Sequence, residues 1–113
     1  AGLRNNQPIS HVDIYPSLCD FAGIPKPTHL EGRSILPLLK DQSATRDVAF
    51  LSYGPENTAA QSERYRYLRY EDGSEELYDH KKDPHEWTNL IGNEKYQKLT
   101  KKMRAQVLAF QKK

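Results

Sequence analysis

The stretch "RYRYLRYEDGSEELYDH", residues 64–80, decides the fold of this chain. Its first seven residues alternate, which places Tyr65, Tyr67 and Arg69 on one face of an extended strand. Asp72 and Gly73 follow, a pair that tolerates the positive φ angles of a tight hairpin turn. The segment "EELYDH" then supplies the return strand, so the stretch predicts an antiparallel hairpin.

A further strand is predicted before this hairpin. The segment "DVAFLSYG", residues 47–54, has apolar side chains on both faces, which indicates a strand covered on both sides or nearly so. Between it and the hairpin, "PENTAAQSE", residues 55–63, is predicted to be a loop. The sheet is therefore an antiparallel meander of about three to four strands.

The last element is predicted to be an amphipathic helix over residues 94–110. Its apolar residues recur at spacings of three and four and form one stripe, while Lys, Gln and Arg occupy the other face. The stripe consists of Tyr96, Leu99, Met103, Val107 and Phe110. Because a helix on an antiparallel sheet is a stable two-layer unit, the predicted fold class is α+β, a small antiparallel sheet with a packed C-terminal helix.

The N-terminal third is predicted to hold a helix near residues 13–22, followed by a loop. Asp13 is expected to accept hydrogen bonds from the first free N–H groups of this helix. Gly23 is expected to end it in the left-handed conformation. A polar linker follows the loop, and we place a domain boundary near residue 42.

The segment "DPHEWTNL", residues 83–90, matches the pattern of a helix-capping box. Asp83 takes the N-cap position, and Glu86 stands three residues later, where it can reach back to the cap. The alternative is that Asp83 gathers with Asp79, His80 and His85 around a cation. Because the capping pattern is complete, we favour a cap followed by one helical turn.

Composition excludes several classes of protein. The 113 residues carry a net charge of +2, with 17 basic and 15 acidic residues interspersed, which is no footprint for nucleic acid or an anionic membrane. One cysteine rules out an internal disulfide. No apolar run approaches the length of a membrane span. The polar start without an initiator Met suggests a fragment or a processed product.

No catalytic constellation is visible in the residues themselves. There is no G-x-S-x-G elbow and no phosphate-binding Gly loop. None of the four histidines forms a close metal-ligand pair. Cys19 lies in the predicted helix interior, where a thiol is usually a small buried hydrophobe. The sequence therefore predicts no catalytic and no metal-binding residue in this chain.

Three segments, in this order and spacing, resemble the arylsulfatase-type sulfatases of the alkaline-phosphatase-like superfamily. "SHVDIYPSLCDFAGIPKP" resembles a family helix of the form V-D-x-Y-P-T-L-x-x-x-A-G, with Ser17 in place of Thr. "LEGRSILPLL" resembles the G-x-S-L-x-P-L-L segment after it. "ERYRYLRYEDGSEELYDHKKDPHEWTNL" resembles the C-terminal signature. The resemblance is strongest to the iduronate-2-sulfatase-like bacterial branch.

The resemblance implies that the catalytic machinery lies in a larger, N-terminal α/β domain. That machinery includes a C/S-x-P-x-R motif converted to formylglycine and a divalent cation, usually calcium. Here Cys19 is followed by Asp-Phe-Ala-Gly, so it is not the formylglycine precursor, and the metal-ligand motifs are absent too. Residues 1–42 are expected to be the C-terminal end of the catalytic domain, and residues 43–113 the C-terminal subdomain.

The resemblance also implies a supporting role, in which loops of this subdomain line the rim of the substrate pocket. The substrate would be a sulfated small molecule or glycan bound through the parent enzyme, which is expected to be periplasmic or secreted. Many similar sequences have N-H-[AS]-x-R before the hairpin, where this chain keeps Asn57 but has Thr58 and Gln61 for His and Arg. The candidates for rim contact are Asn57, Gln61 and Arg64.

Two other functions are compatible with the residues alone. The chain could be an autonomous protein- or glycan-binding module, in which case its apolar residues between positions 14 and 39 would close onto the module itself. It could instead bind single-stranded nucleic acid by stacking bases on the tyrosines of the first hairpin strand. The balanced charge and the acidic run "EDGSEE" argue against the second function.

Overall fold

The structure is a computed structural model that describes residues 2–112. The chain divides into two compact units, residues 1–47 and residues 48–113. The first holds two helices, α1 (Ile14–Ala22) and α2 (Leu36–Lys40), with a 3-10 turn at His11–Asp13 leading into α1. Gly23 ends α1 at φ 68°, in the left-handed conformation that the sequence predicts.

Asp13 does not cap α1 as predicted. Its carboxylate points back and accepts hydrogen bonds from the backbone N–H groups of Ser10 and Arg33, each at 2.8 Å. Arg46 donates to the same carboxylate through Nη1 at 2.5 Å. Both charged side chains are buried, at 7% exposure for Asp13 and 6% for Arg46. The prediction was wrong because the carboxylate is bound by Ser10, which precedes the helix, and by Arg33 and Arg46 far along the chain.

The loop between the two helices is attached to α1 at this point. Ser17 Oγ donates to the carbonyl of Asp13 at 2.5 Å and accepts from the N–H of Ile35 at 2.9 Å. Gly32 passes so close to residue 12 that a Cβ on it would lie 1.8 Å from the carbonyl oxygen of Val12. The buried pair and this close approach together fix the path of residues 32–35.

The apolar face of α1 is left uncovered. Ile14, Leu18 and Phe21, the residues at helical spacing, are 53%, 58% and 50% exposed. The helix instead buries Pro16, Ser17 and Cys19. These three residues therefore do not close onto the first unit, whereas the autonomous-module hypothesis requires the apolar residues of this segment to do so.

The second unit is a four-stranded antiparallel sheet in the order β1-β2-β3-β4. The strands are Ala49–Tyr53 (β1), Asn57–Gln61 (β2), Tyr65–Arg69 (β3) and Glu75–Asp79 (β4). The α+β prediction with three to four strands is confirmed. The expected loop at residues 55–63 was wrong, because β2 occupies most of it.

β2 is a strand despite its composition. Asn and Ala are poor strand formers, which is why the sequence suggests a loop. However, β2 lies between β1 and β3 and pairs with both, from Tyr53–Asn57 to Gln61–Arg66. Hydrogen bonding on both sides outweighs the weak intrinsic preference of these residues.

Helix α3 (Gln97–Gln111), preceded by a 3-10 turn at Glu94–Tyr96, packs on one face of this sheet. The core row runs straight across the strands, from Phe50 through Ala60 and Tyr67 to Leu77. From α3, Met103 and Val107 are buried against it, and Phe110 stacks on Phe50 at 4.4 Å between ring centroids. The predicted apolar stripe of the helix is therefore the core-facing stripe.

A group of three polar side chains, Tyr67, Glu75 and Arg104, joins α3 to two strands, and we call it the polar clamp. Arg104 on α3 donates to both carboxylate oxygens of Glu75 on β4. Tyr67 on β3, which is fully buried, donates to Glu75 Oε1 at 2.5 Å. Burial and the hydrogen bond to Glu75 raise the pKa of the Tyr67 hydroxyl well above its usual value. The clamp thus fixes the helix to the sheet with three charge-assisted hydrogen bonds.

Replacing Tyr67 with phenylalanine should destabilise the second unit by about 1–3 kcal/mol, because the carboxylate of Glu75 loses one buried donor. Urea denaturation of the variant measures this loss. Tyr53→Phe is the matched control, since Tyr53 lies in the same sheet at 86% exposure, and it should leave the midpoint unchanged. Equal midpoints for the two variants would show that the hydroxyl of Tyr67 contributes nothing.

Residues 83–90 form an irregular turn and not the capping box that the sequence predicts. Asp83 accepts hydrogen bonds from the backbone N–H groups of Trp87 and Thr88, at 3.0 and 2.8 Å. Glu86 has φ 57°, in the left-handed region, and its side chain contacts Arg66 and His80 instead of the backbone N–H of Asp83. The next residues cover the outer edge of β4, since the N–H of Leu90 donates to the carbonyl of Leu77 at 2.8 Å.

Candidate functional site

The three predicted rim residues lie on or beside β2, but they do not converge. Asn57 and Gln61 are at opposite ends of the strand, about 13 Å apart at the usual rise per residue. Arg64 precedes β3, at the Gln61 end. Asn57 accepts from the N–H of Glu71 at 3.2 Å and lines a shallow depression beside the hairpin turn. A single small ligand could contact Gln61 and Arg64, or Asn57, but not all three.

Arg64 is held in a structural ion pair. Its Nε and Nη2 donate to the two carboxylate oxygens of Asp79 at 2.8 and 2.6 Å, and its guanidinium lies 4.9 Å from the ring centre of Tyr65. Asp79 is 1% exposed, and this hydrogen-bonded partner lowers its pKa below the usual range. Two of the donor groups of Arg64 are therefore committed inside the protein.

Gln61 belongs to a polar cluster that we call the β2-end cluster, formed by Gln61, Arg66, His80 and Glu86. His80 Nε2 lies 2.8 Å from Glu86 Oε1, and its Nδ1 lies 3.4 Å from Gln61 Nε2. Arg66 Nη1 donates to the same Glu86 oxygen at 3.3 Å. Each of these four side chains is half-buried.

The strand register explains why these residues meet. Gln61 pairs with Arg66, and Arg66 pairs with Tyr78, so the three side chains lie on one face of the sheet. His80 lies two residues beyond Tyr78 and continues that face. The alternation in the sequence could have indicated Arg66 and His80, had β2 been recognised as a strand. The position of Glu86 depends on a left-handed backbone that no sequence pattern showed.

Thr58, the other substituted position in the motif before the hairpin, points to the opposite face. It is 3% exposed, and its hydroxyl accepts from Gln111 Nε2 of α3 at 3.1 Å. Because neighbouring residues of a strand alternate, Thr58 faces the helix while Gln61 faces the β2-end cluster. The substitution at Thr58 therefore concerns the core, and only Gln61 remains as a surface change.

The tyrosine face of β3 is not available to a ligand. Tyr67 is fully buried, and Tyr65 packs against the core and meets Tyr96 edge to face at 6.4 Å. The helix α3 covers this face. The base-stacking hypothesis thus loses the surface on which it depends.

The described residues do not fit a metal or a formylglycine site. Within residues 2–112, no group of three His, Cys, Asp or Glu side chains is placed to hold a cation. The carboxylate of Asp79 accepts hydrogen bonds from Arg64, and that of Asp83 accepts them from backbone N–H groups. Cys19 is 1% exposed inside α1. None of the helices in this part of the chain has the length and apolar character needed to cross a bilayer.

Acid should weaken the second unit through its carboxylates. Arg104 lowers the pKa of Glu75 below 4.5, and Arg64 lowers that of Asp79 below 3.8. Since both pKa values are lower in the folded state, the stabilisation is complete above the ordinary values and is lost as the pH falls through the folded-state values. Urea midpoints should be flat near neutral pH and should drop from about pH 4 downwards. A shallower drop in Glu75→Gln is expected, and an unchanged drop would contradict the assignment to Glu75.

Comparison with known proteins places this geometry in a family. The family model of the N-sulphoglucosamine sulphohydrolase C-terminal domain matches residues 1–113. The chain belongs to the sulfatases. The resemblance seen in the sequence is thereby confirmed, and the hairpin, the cluster and α3 are parts of a sulfatase C-terminal domain.

Individual relatives support the assignment. A sulfatase of Formosa agariphila is 32% identical over 105 residues, covering 92% of this chain and 21% of the relative. A Delta 4,5-hexuronate-2-O-sulfatase of Bacteroides thetaiotaomicron is 33% identical over 118 residues, covering 90% of this chain and 24% of the relative.

A solved structure shows the same fold. A protein in complex with its substrate D-glucosamine-2-N,6-O-disulfate superposes with a TM-score of 0.71 at 25% identity, covering 88% of this chain and 23% of that protein. This sulfatase chain therefore spans between a fifth and a quarter of the length of the relatives that it matches.

Proposed function

We propose that this sulfatase chain is the C-terminal part of a longer enzyme that hydrolyses a sulfate ester of a sugar or glycan. Residues 1–42 complete the catalytic α/β domain, and residues 43–113 form the subdomain that supports it and borders the substrate pocket. The match over 1–113 to a sulfatase C-terminal family and the relatives with sugar sulfates in their names support this function.

The uncovered apolar face of α1 is the observation that carries the proposal. Ile14, Leu18 and Phe21 expose half or more of their side chains on one short helix. Exposed apolar patches of this kind mark surfaces that pack against other protein. In a sulfatase, the catalytic domain is the partner that would cover this face.

The chemistry of ester cleavage belongs to that domain. Formylglycine would supply the nucleophile and calcium would neutralise charge on the sulfate, but the residues of this chain do not fit either group. What this chain contributes is the position of polar side chains at the pocket border. Gln61 and Arg64 lie towards one end of β2, and Asn57 lies at the other.

The proposal is tested by charge substitution on α1 in the full-length sulfatase. Leu18→Asp should have little effect on the isolated chain, where this side chain is already exposed, but should abolish soluble, active full-length enzyme. Gln42→Asp, an exposed polar position in the same unit, is the matched control and should leave the yield unchanged. Wild-type yield and activity of the Leu18→Asp enzyme would refute the proposed packing.

A second measurement locates the chemistry. The isolated chain, supplied with calcium and an aryl sulfate ester, should release no sulfate above the buffer rate. The full-length enzyme should hydrolyse sulfated sugars. Release of sulfate by the isolated chain would overturn the assignment of ester cleavage to the catalytic α/β domain.

A further inference from the structure

We propose that Gln61 is a specificity-determining residue that presents its side-chain oxygen, a hydrogen-bond acceptor, to a neutral donor group of the sulfated sugar. The donor would be a sugar hydroxyl or an acetamido N–H. This inference rests on the proposed function, because it requires that the Gln61 end of β2 border the sugar-binding pocket.

The side-chain nitrogen of Gln61 is directed inward by two backbone carbonyl oxygens. It donates to the carbonyl of Ser62 at 2.8 Å and lies 3.5 Å from the carbonyl of Tyr65. It also lies 3.4 Å from His80 Nδ1. A carbonyl oxygen can only accept, so a flipped amide would bring its oxygen against two other oxygens. The backbone alone therefore favours one orientation of the amide.

His80 reinforces this orientation through its tautomer. Its Nε2 lies 2.8 Å from Glu86 Oε1, and a carboxylate oxygen accepts, so Nε2 carries the proton. In the neutral imidazole, Nδ1 is then the acceptor and takes a hydrogen from the Gln61 amide. Arg66 donates to the same oxygen of Glu86 and holds the carboxylate in place. With a neutral imidazole, the hydrogen bonds run in one direction, from Gln61 to His80 to Glu86.

The oxygen of Gln61 is left to face outward. No hydrogen bond joins this atom to any residue of the described chain, and it is not among the buried polar atoms that lack a partner. A half-buried acceptor at the end of a strand matches a neutral donor. The same oxygen would repel a carboxylate or a second sulfate, because the oxygens of those groups are also acceptors and have no hydrogen to donate.

The motif that this segment resembles, N-H-[AS]-x-R, has arginine at the position of Gln61. A guanidinium only donates and suits an anionic ligand, so an outward-facing acceptor reverses the polarity of this position. The amide of a glutamine has both a donor and an acceptor group. In this chain the donor, the nitrogen of Gln61, is already bonded to Ser62 and lies beside His80, so only the oxygen is left for a ligand. The sulfatase should therefore prefer a sugar that is uncharged at this subsite over a uronate.

The hydrogen-bond direction is tested first by nitrogen NMR of the chain with labelled histidines. The signal of His80, assigned by its loss in His80→Asn, should show a protonated Nε2 and an unprotonated Nδ1. A protonated Nδ1 would overturn the inference, because Gln61 would then have to offer its oxygen to His80.

Substrate preference is tested in the full-length sulfatase with three sugars sulfated at the same carbon: N-acetylglucosamine, glucose and a uronate. The wild type should favour the two neutral sugars, and the better of the two identifies an acetamido or a hydroxyl donor. Gln61→Arg should shift kcat/KM towards the uronate by about tenfold to a hundredfold, the usual worth of a charge-assisted hydrogen bond. Gln97→Arg, an exposed position at the start of α3, adds the same charge and should not change the ratio.

The possible outcomes separate this inference from the proposed function. A wild type that favours the uronate, or a Gln61→Arg enzyme with an unchanged ratio, refutes the role of Gln61 while the sulfatase function stands. The wild-type preference decides the matter even where the Gln61→Arg enzyme does not fold. Absence of turnover with all three sugars, and with their other positional sulfates, refutes the proposed function and this inference with it.

Discussion

Replacing Arg46 with methionine should destabilise the first unit by about 3 kcal/mol or more. The substitution leaves the carboxylate of Asp13 buried without its cation, and breaking a buried ion pair costs about 3–5 kcal/mol. Burial on its own raises the pKa of Asp13, but the N–H groups of Arg33 and Ser10 and the charge of Arg46 outweigh it and hold the pKa below its usual value. The charged form is thus the native one, and it needs its partner.

Amide hydrogen exchange measures this loss where it arises. The N–H groups of Ser10 and Arg33, both bonded to Asp13, should exchange roughly a hundredfold faster in Arg46→Met. The matched control is Lys26→Met, which also removes the cation next to an aspartate, in a pair whose lysine is 46% exposed. Its exchange should match the wild type, since surface ion pairs contribute little. Equal exchange in the two variants would show that the buried pair is not needed.

Replacing Gly32 with alanine should have a comparable effect by a different route. The added Cβ would lie 1.8 Å from the carbonyl oxygen of Val12 and 2.9 Å from the nitrogen of Asp13, and both are backbone atoms. Backbone cannot move aside as a side chain can, so the loop must shift and Arg33 must leave the carboxylate of Asp13. We expect a loss of about 3 kcal/mol, at the upper end of the range for overpacking.

The control for this substitution is Gly92→Ala. Gly92 has open space where a Cβ would stand and does not require a positive φ, so alanine should be neutral or slightly stabilising there. Exchange of the Arg33 amide reports on both variants. Retained protection of that amide in Gly32→Ala would show that residues 32–35 can settle in another path without cost.

The elements that the sequence predicted correctly are those whose signals are local. Hairpin β3–β4 follows from alternation and an Asp-Gly turn, and Gly73 indeed has φ 83°. The stripe of α3 follows from its spacing. The end of α1 at Gly23 follows from the conformational freedom of glycine.

The elements that the sequence missed depend on distant partners. Asp13 looked like a cap because its neighbours allow one, but Arg46 lies 33 positions further along the chain. Glu86 completed a capping pattern, yet it contacts Arg66 and His80. β2 has the composition of a loop, and only its two neighbouring strands make it a strand. In each case a long-range contact outweighs a correct local preference.

The sequence named the candidate residues of the site but could not show what surrounds them. The likeness of residues 57–61 to a family motif drew attention to Asn57 and Gln61, and both side chains are partly accessible. It could not show that Thr58 faces α3, or that the amide nitrogen of Gln61 is occupied. Those facts require the strand register and the neighbouring backbone carbonyls.

The interior position of β2 limits how sulfatases of this kind can diverge. A surface loop can gain or lose residues, and new binding pockets often evolve by such changes in length. A strand paired on both sides cannot, because one inserted residue would turn every later side chain to the opposite face. At Asn57 and Gln61, change is therefore limited to the exchange of one side chain for another at fixed spacing.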